Sequence, residues 1–104
     1  MKKALMQRIP RECWLCGRNG NGEPLELHHC FGGANRKKSE QYGACVYLCA
    51  NRCHRNGPEA VHRNAETNRR LHVWAQEKLM EENGWTEDDF RLEFGKSYLG
   101  EGTA

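Results

Sequence analysis

Cys13-x-x-Cys16 opens the stretch of this sequence whose residue types could do chemistry, and Cys49-x-x-x-Cys53-His54 lies toward its other end. Between them stand His28 and His29, and eight residues past His54 comes His62. Two short-spaced cysteine pairs are the donor pattern of a tetrahedral zinc site. Neutral imidazole is the commonest metal ligand, and the side chain best suited to act as a general base near neutral pH. An adjacent pair on a strand sends its imidazoles to opposite sides, so one can face a metal while the other faces a substrate phosphate. His54 and His62 are placed to converge on the same ion. His72 stands apart and reads as a surface or hydrogen-bonded polar residue.

The chain has 104 residues, near the size of one ordinary domain, with 38% apolar and 29% charged residues. Mean hydropathy is −0.93. So lean a chain buries little against the backbone entropy of folding, roughly 1–2 kcal/mol per residue. Three Trp, six Cys and five His argue against disorder, which makes bound metal the first candidate for what holds the chain together. Six cysteines fall short of the roughly 8–10% of secreted disulfide scaffolds. The apolar stretch Ala4-Leu5-Met6 after Lys2 and Lys3 stops at Gln7-Arg8, too soon for a secretory signal, and no apolar run is long enough to span a membrane. A cytoplasmic, reducing compartment follows, where clustered Cys reads as metal-binding rather than disulfide-bonded. Charge is uneven: residues 1–56 hold ten Lys/Arg against four Asp/Glu, and residues 57–104 hold six against ten. The Cys- and His-bearing part is the basic part, as expected of a surface that approaches a polyanion, although charge alone also fits a solvated face.

The elements that must position these residues follow from local pattern. Residues 1–12 read as a polar N-terminal tail. Gly17-Arg18-Asn19-Gly20-Asn21-Gly22 forms a turn cluster after the first cysteine pair. Leu25-Glu26-Leu27-His28-His29 alternates as a short strand, and Cys45-Val46-Tyr47-Leu48-Cys49 reads as its antiparallel partner. Between them Gly32–Ser39 reads as a glycine-rich basic loop. From about Ala60 the pattern turns helical, with Leu71, Trp74, Ala75 and Leu79 on one core-facing side and an end near Asn83-Gly84. Thr86 with Asp89 signals a second short helix, and Trp85, Phe90, Phe94 and Tyr98 fold back onto the first. The expected architecture is one small α+β domain.

Residues 13–65 resemble the HNH endonucleases, the ββα-metal or His-Me finger fold. The histidine pair ending a strand, the basic loop, the second strand with Leu48-Cys49, and Cys53-His54 before a helix carry the resemblance. The cysteine pairs resemble the subgroup whose structural zinc ties the motif's ends together. The stretch from His54 through Val61-His62 into a long helix resembles phage-type members related to a recombination-enhancement nuclease. The resemblance implies a ββα-metal core with zinc knuckles over 13–65 and a helical extension over 66–104. It implies His29 as general base, and His28, His54 and His62 as ligands of an active-site ion (Mg²⁺, Mn²⁺, Ni²⁺ or Zn²⁺). It assigns Cys13, Cys16, Cys49 and Cys53 to structural Zn²⁺. The chain departs from the family twice. Its second cysteine pair is separated by three residues where two are usual. The family's middle Asn falls near Ala44, where no amide exists, so that either a nearby residue such as Asn35 or Tyr42 braces the loop or it is braced differently.

The function implied is metal-dependent hydrolysis of DNA phosphodiesters with weak sequence selectivity, leaving 5′-phosphate and 3′-hydroxyl ends. Arg36, Lys37, Lys38, Arg55 and Arg63 are the candidate phosphate contacts, with Arg69 and Arg70 on the helix as further ones. DNA is the expected partner, in a bacterial or phage-infected cell, with a phage recombination or packaging protein as a further one. A non-catalytic zinc-finger-like nucleic-acid-binding module is the alternative. A redox- or metal-sensing protein built on Cys30 and Cys45 is a third class, against a plainer role for those thiols as small packed hydrophobes.

Overall fold

The computed structural model describes residues 11–99. Most of the expected N-terminal tail lies outside the described residues. Two strands and three helices form one small α+β domain: β1 (Leu25–His29), α1 (Arg36–Tyr42), β2 (Cys45–Cys49), α2 (Ala65–Asn83) and α3 (Glu87–Phe94). The strands pair antiparallel, from Leu25 opposite Cys49 to His29 opposite Cys45. The N-terminal segment touches β2 through a single parallel bridge, Cys13 with Tyr47, where the Trp14 N–H donates to the Tyr47 carbonyl at 2.8 Å.

The stretch Gly32–Ser39, expected as a loop, is half helix. A 3-10 turn at Gly33–Asn35 runs into α1. Arg36-Lys37-Lys38-Ser39-Glu40-Gln41 holds no β-branched residue, glycine or proline to oppose a helix. Gly43 stops it in the left-handed region at φ 70°, a conformation that costs glycine little. Ser39 faces inward and is fully buried. Its Oγ accepts from the Phe31 N–H at 3.1 Å and donates to the Phe31 carbonyl at 2.7 Å. One hydroxyl therefore closes the turn that leaves β1 after His29.

Helix α2 starts at Ala65, five residues later than the pattern suggests. The Asn64 side chain accepts from the Thr67 N–H at 3.0 Å and caps it, while residues 60–62 bond elsewhere. Its buried side is Thr67, Leu71, Ala75, Gln76 and Leu79. Trp74, expected among them, is only partly buried at the edge of the core, where it meets Trp14. Helix α3 opens with a capping box between Thr86 and Asp89. It buries Phe90 and Phe94 against Phe31. The last turn of α3 is tied to α1 three times. The Asn35 amide donates to the Phe94 carbonyl, and both Lys38 Nζ and the Tyr42 hydroxyl donate to Glu93 Oε1. Among the described residues no helix is long and apolar enough to cross a membrane.

Ser39→Ala should cost about 1–3 kcal/mol, because it strands a buried N–H that only the hydroxyl reaches. Urea denaturation checks this. A loss of a few tenths would mean that the turn after β1 closes without Ser39.

Candidate metal centres

Cys13, Cys16, Cys49 and Cys53 come together from two distant segments, their sulfurs all within 4.8 Å of one another. Sulfurs on one tetrahedral zinc at about 2.3 Å lie roughly 3.8 Å apart. Cys16 and Cys49 approach to 3.5 Å. The first pair sits in a tight knuckle: the Gly17 N–H returns to the Cys13 carbonyl at 2.9 Å, and the Cys16 N–H points at Cys13 Sγ at 3.5 Å. The three-residue spacing of the second pair is absorbed by a turn, since both the Cys53 and His54 N–H groups reach the Cys49 carbonyl. Glu23 steadies that turn, its carboxylate accepting from the Asn51 and Arg52 N–H groups at 2.8 Å each. These four cysteines could hold a structural metal ion such as zinc.

Their acidities fit that use. Burial alone would push Cys16 up, but hydrogen bonds from the Arg18 backbone and the Cys49, Cys13 and Cys53 thiols pull it down to about 7. Burial, a hydrogen bond to Cys16 and the nearby Cys13 push Cys49 up to about 12, and similar causes raise Cys53. The cluster thus favours a thiolate at Cys16 and opposes one at Cys49 and Cys53 until a cation sits among them.

The second cluster lies on the next stretch of chain. His28 Nδ1 is 3.2 Å from His54 Nε2, which is 3.1 Å from His62 Nε2. Two nitrogens bound to one ion at about 2.0–2.1 Å sit roughly 3.0–3.4 Å apart. The His54 Nδ1–H donates to Glu26 Oε1 at 2.8 Å, so its Nε2 presents a lone pair. Arg55 leans on the same carboxylate. His62 reaches His54 across eight residues because the segment between folds back. The Val61 N–H bonds the Cys53 carbonyl, and the His62 N–H bonds the His54 carbonyl. Gly57 makes that return tight enough that a Cβ there would collide with the Arg52 carbonyl. Burial, then the facing His54 and His62, lower His28 to about 3. His62 is also lowered, by burial first and then by His54 and Arg55. Both rings stay neutral and ligand-competent at physiological pH.

His29 points away from this group, as strand alternation requires, and meets α1: its Nε2 lies 3.0 Å from Glu40 Oε1. A carboxylate only accepts, so Nε2 carries a hydrogen, and in the neutral ring the lone pair is then on Nδ1. Of the basic residues singled out by sequence, Arg36 and Lys37 are exposed on the first turn of α1. Lys38 and Arg55 are engaged by Glu93 and Glu26. Arg63 donates to the Asn56 carbonyl. Arg69 pairs with Glu66, and Arg70 is exposed. Cys30 and Cys45 are buried apart from both clusters. Burial raises both thiols, Cys45 to about 11, which makes them unreactive as nucleophiles. Glu23, Glu26, Ser39 and Glu40 were not anticipated. A carboxylate two residues before His28 on the same strand face was the available signal for Glu26. Compared with protein families, curated proteins and solved structures, the chain matches none of them.

Cys53→Ser should lose the cage metal and much of the fold, with metal content and circular dichroism as the readout. A well-folded variant with full zinc would place the ligand elsewhere. A second expectation concerns acid stability. Between pH 6.5 and about 3 the unfolded chain takes up a proton at His28 that the folded chain refuses, so stability falls as pH falls through that window. Urea midpoints measured from pH 7 to 4 should fall less steeply in His28→Gln than in the parent. Equal slopes would remove His28 from the acid response.

Proposed function

We propose that this chain is a metal-dependent endonuclease of the HNH type that hydrolyses DNA phosphodiester bonds. The observation that supports it most is the division of labour at the end of β1. His28 joins two other imidazoles around one point, while the neighbouring His29 is held by a carboxylate on the opposite side of the strand. A structural cage has no need of the second arrangement.

The residues fit the reaction in named roles. His28 Nδ1, His54 Nε2 and His62 Nε2 would hold a divalent ion, which when bound supplies Lewis-acid stabilisation of the phosphate and of the leaving 3′ oxygen. His29 accepts a proton at Nδ1 from the attacking water. Glu40 fixes the tautomer that leaves this nitrogen free, and steadies the imidazolium that forms. Glu26 does the corresponding work for His54. Arg36 and Lys37, exposed on α1, are the best-placed phosphate contacts. Such contacts make binding salt-dependent and weakly selective.

The test is nicking of supercoiled plasmid with Mg²⁺, Mn²⁺ or Ni²⁺. His29→Ala should bind DNA like the parent and cut it roughly 10²–10⁴-fold more slowly. Glu40→Gln should lose less, and His54→Ala should stay folded with its cage metal and cut poorly. If parent and His29→Ala both fail with every ion, a nucleic-acid-binding module replaces the nuclease. If both cut equally, the base is another residue.

A further inference from the structure

On the outer side of the cysteine knuckle, Trp14 and Trp74 on α2 meet at the domain's edge. Their ring centroids are 5.8 Å apart and their planes tilted by 58°. Both are only partly buried. With Val73 they line an open groove of about 310 Å³, bounded by Arg69 and Arg70 at one end and Glu77 at the other. Beside it, through the Trp14–Tyr47 backbone bond, Arg11 lies over the Tyr47 ring at 4.3 Å.

We propose that the Trp14–Trp74 groove binds an unpaired nucleotide, the base against the indoles and its phosphate at Arg70. Tryptophan faces at the lip of a groove offer stacking that a paired base, covered above and below, is poorly placed to use. Arginine at one end suits the phosphate and the glutamate at the other repels it, which gives the strand a direction. The basic end lies toward the start of α2, and Arg70 is roughly 7–8 Å along the helix axis from Ala65, just past His62. Resting on the nuclease reading, this site would make the preferred substrate DNA with a single-stranded segment beside the scissile bond.

The experiment uses His29→Ala protein, so that DNA survives, and fluorescence anisotropy with labelled oligothymidylate of about eight nucleotides. Trp74→Ala should weaken this binding about tenfold or more, Trp74→Phe should restore most of it, and duplex affinity should hold. Arg70→Gln, at an exposed position, should lower the salt slope for the single strand by about 0.7. Unchanged single-strand affinity in Trp74→Ala overturns the proposal. Equal weakening for duplex and single strand also overturns it, in favour of a general basic face. If Trp74→Ala does not fold, the Arg70→Gln slope decides, and no change there overturns the site. Plasmid cutting by the parent is scored in parallel. Trp74-dependent binding without cutting keeps the groove and discards the nuclease; cutting with Trp74-independent binding does the reverse.

Discussion

Four sulfurs pin the N-terminal knuckle to the far end of β2, and most of the site's geometry hangs from that junction. Cys49 closes β2, and the turn to Cys53 delivers His54 directly under the sheet. The Cys53 and His54 carbonyls then capture the Val61 and His62 N–H groups, which brings His62 back to His54. Trp14 reaches Trp74 because its knuckle is bonded to Tyr47 on the same strand. A metal held by these sulfurs would give a domain with few large buried apolar side chains both stability and the placement of its polar groups.

The opposite end of the hairpin depends on packing instead. Ser39 closes the turn after His29, and α1 carries Glu40 to that imidazole. Asn35, Lys38 and Tyr42 anchor α1 to the end of α3. The C-terminal extension therefore acts on His29 through two intermediaries without touching it. Asn35 and Tyr42, the sequence candidates for bracing this loop, bond instead to the end of α3, and Ser39 makes the local bonds.

Much of this was legible beforehand. Alternation in Leu25–His29 and the β-branched and aromatic run Cys45–Cys49 mark both strands with their bounds, although β1 is partly buried along its whole length and β2 buried along nearly all of it. The capping box at Thr86 and the left-handed stop at Gly84 are local signals and were read as such. The seven residues of α1 are too few to show a helical period, and their glycine-rich approach looks like a loop. The roles of Glu40, Glu23 and Ser39 depend on partners eight to twenty-nine residues away, which no local pattern reveals. Trp74 packs against the core only at its edge: helical periodicity identifies a side of α2 but not where the core beneath it ends. The cysteine and histidine groupings were visible because metal-binding residue types are few and their spacing is tight.

Two candidate metal sites of different chemistry stand side by side, sulfur at one and imidazole at the other. Titrating metal-free protein with cobalt(II) and following its absorption tests this directly. The account predicts two equivalents, one with intense thiolate-to-metal charge transfer and one with weak visible bands alone, the latter lost in His54→Ala. Saturation at one equivalent, or thiolate bands for both, would contradict it.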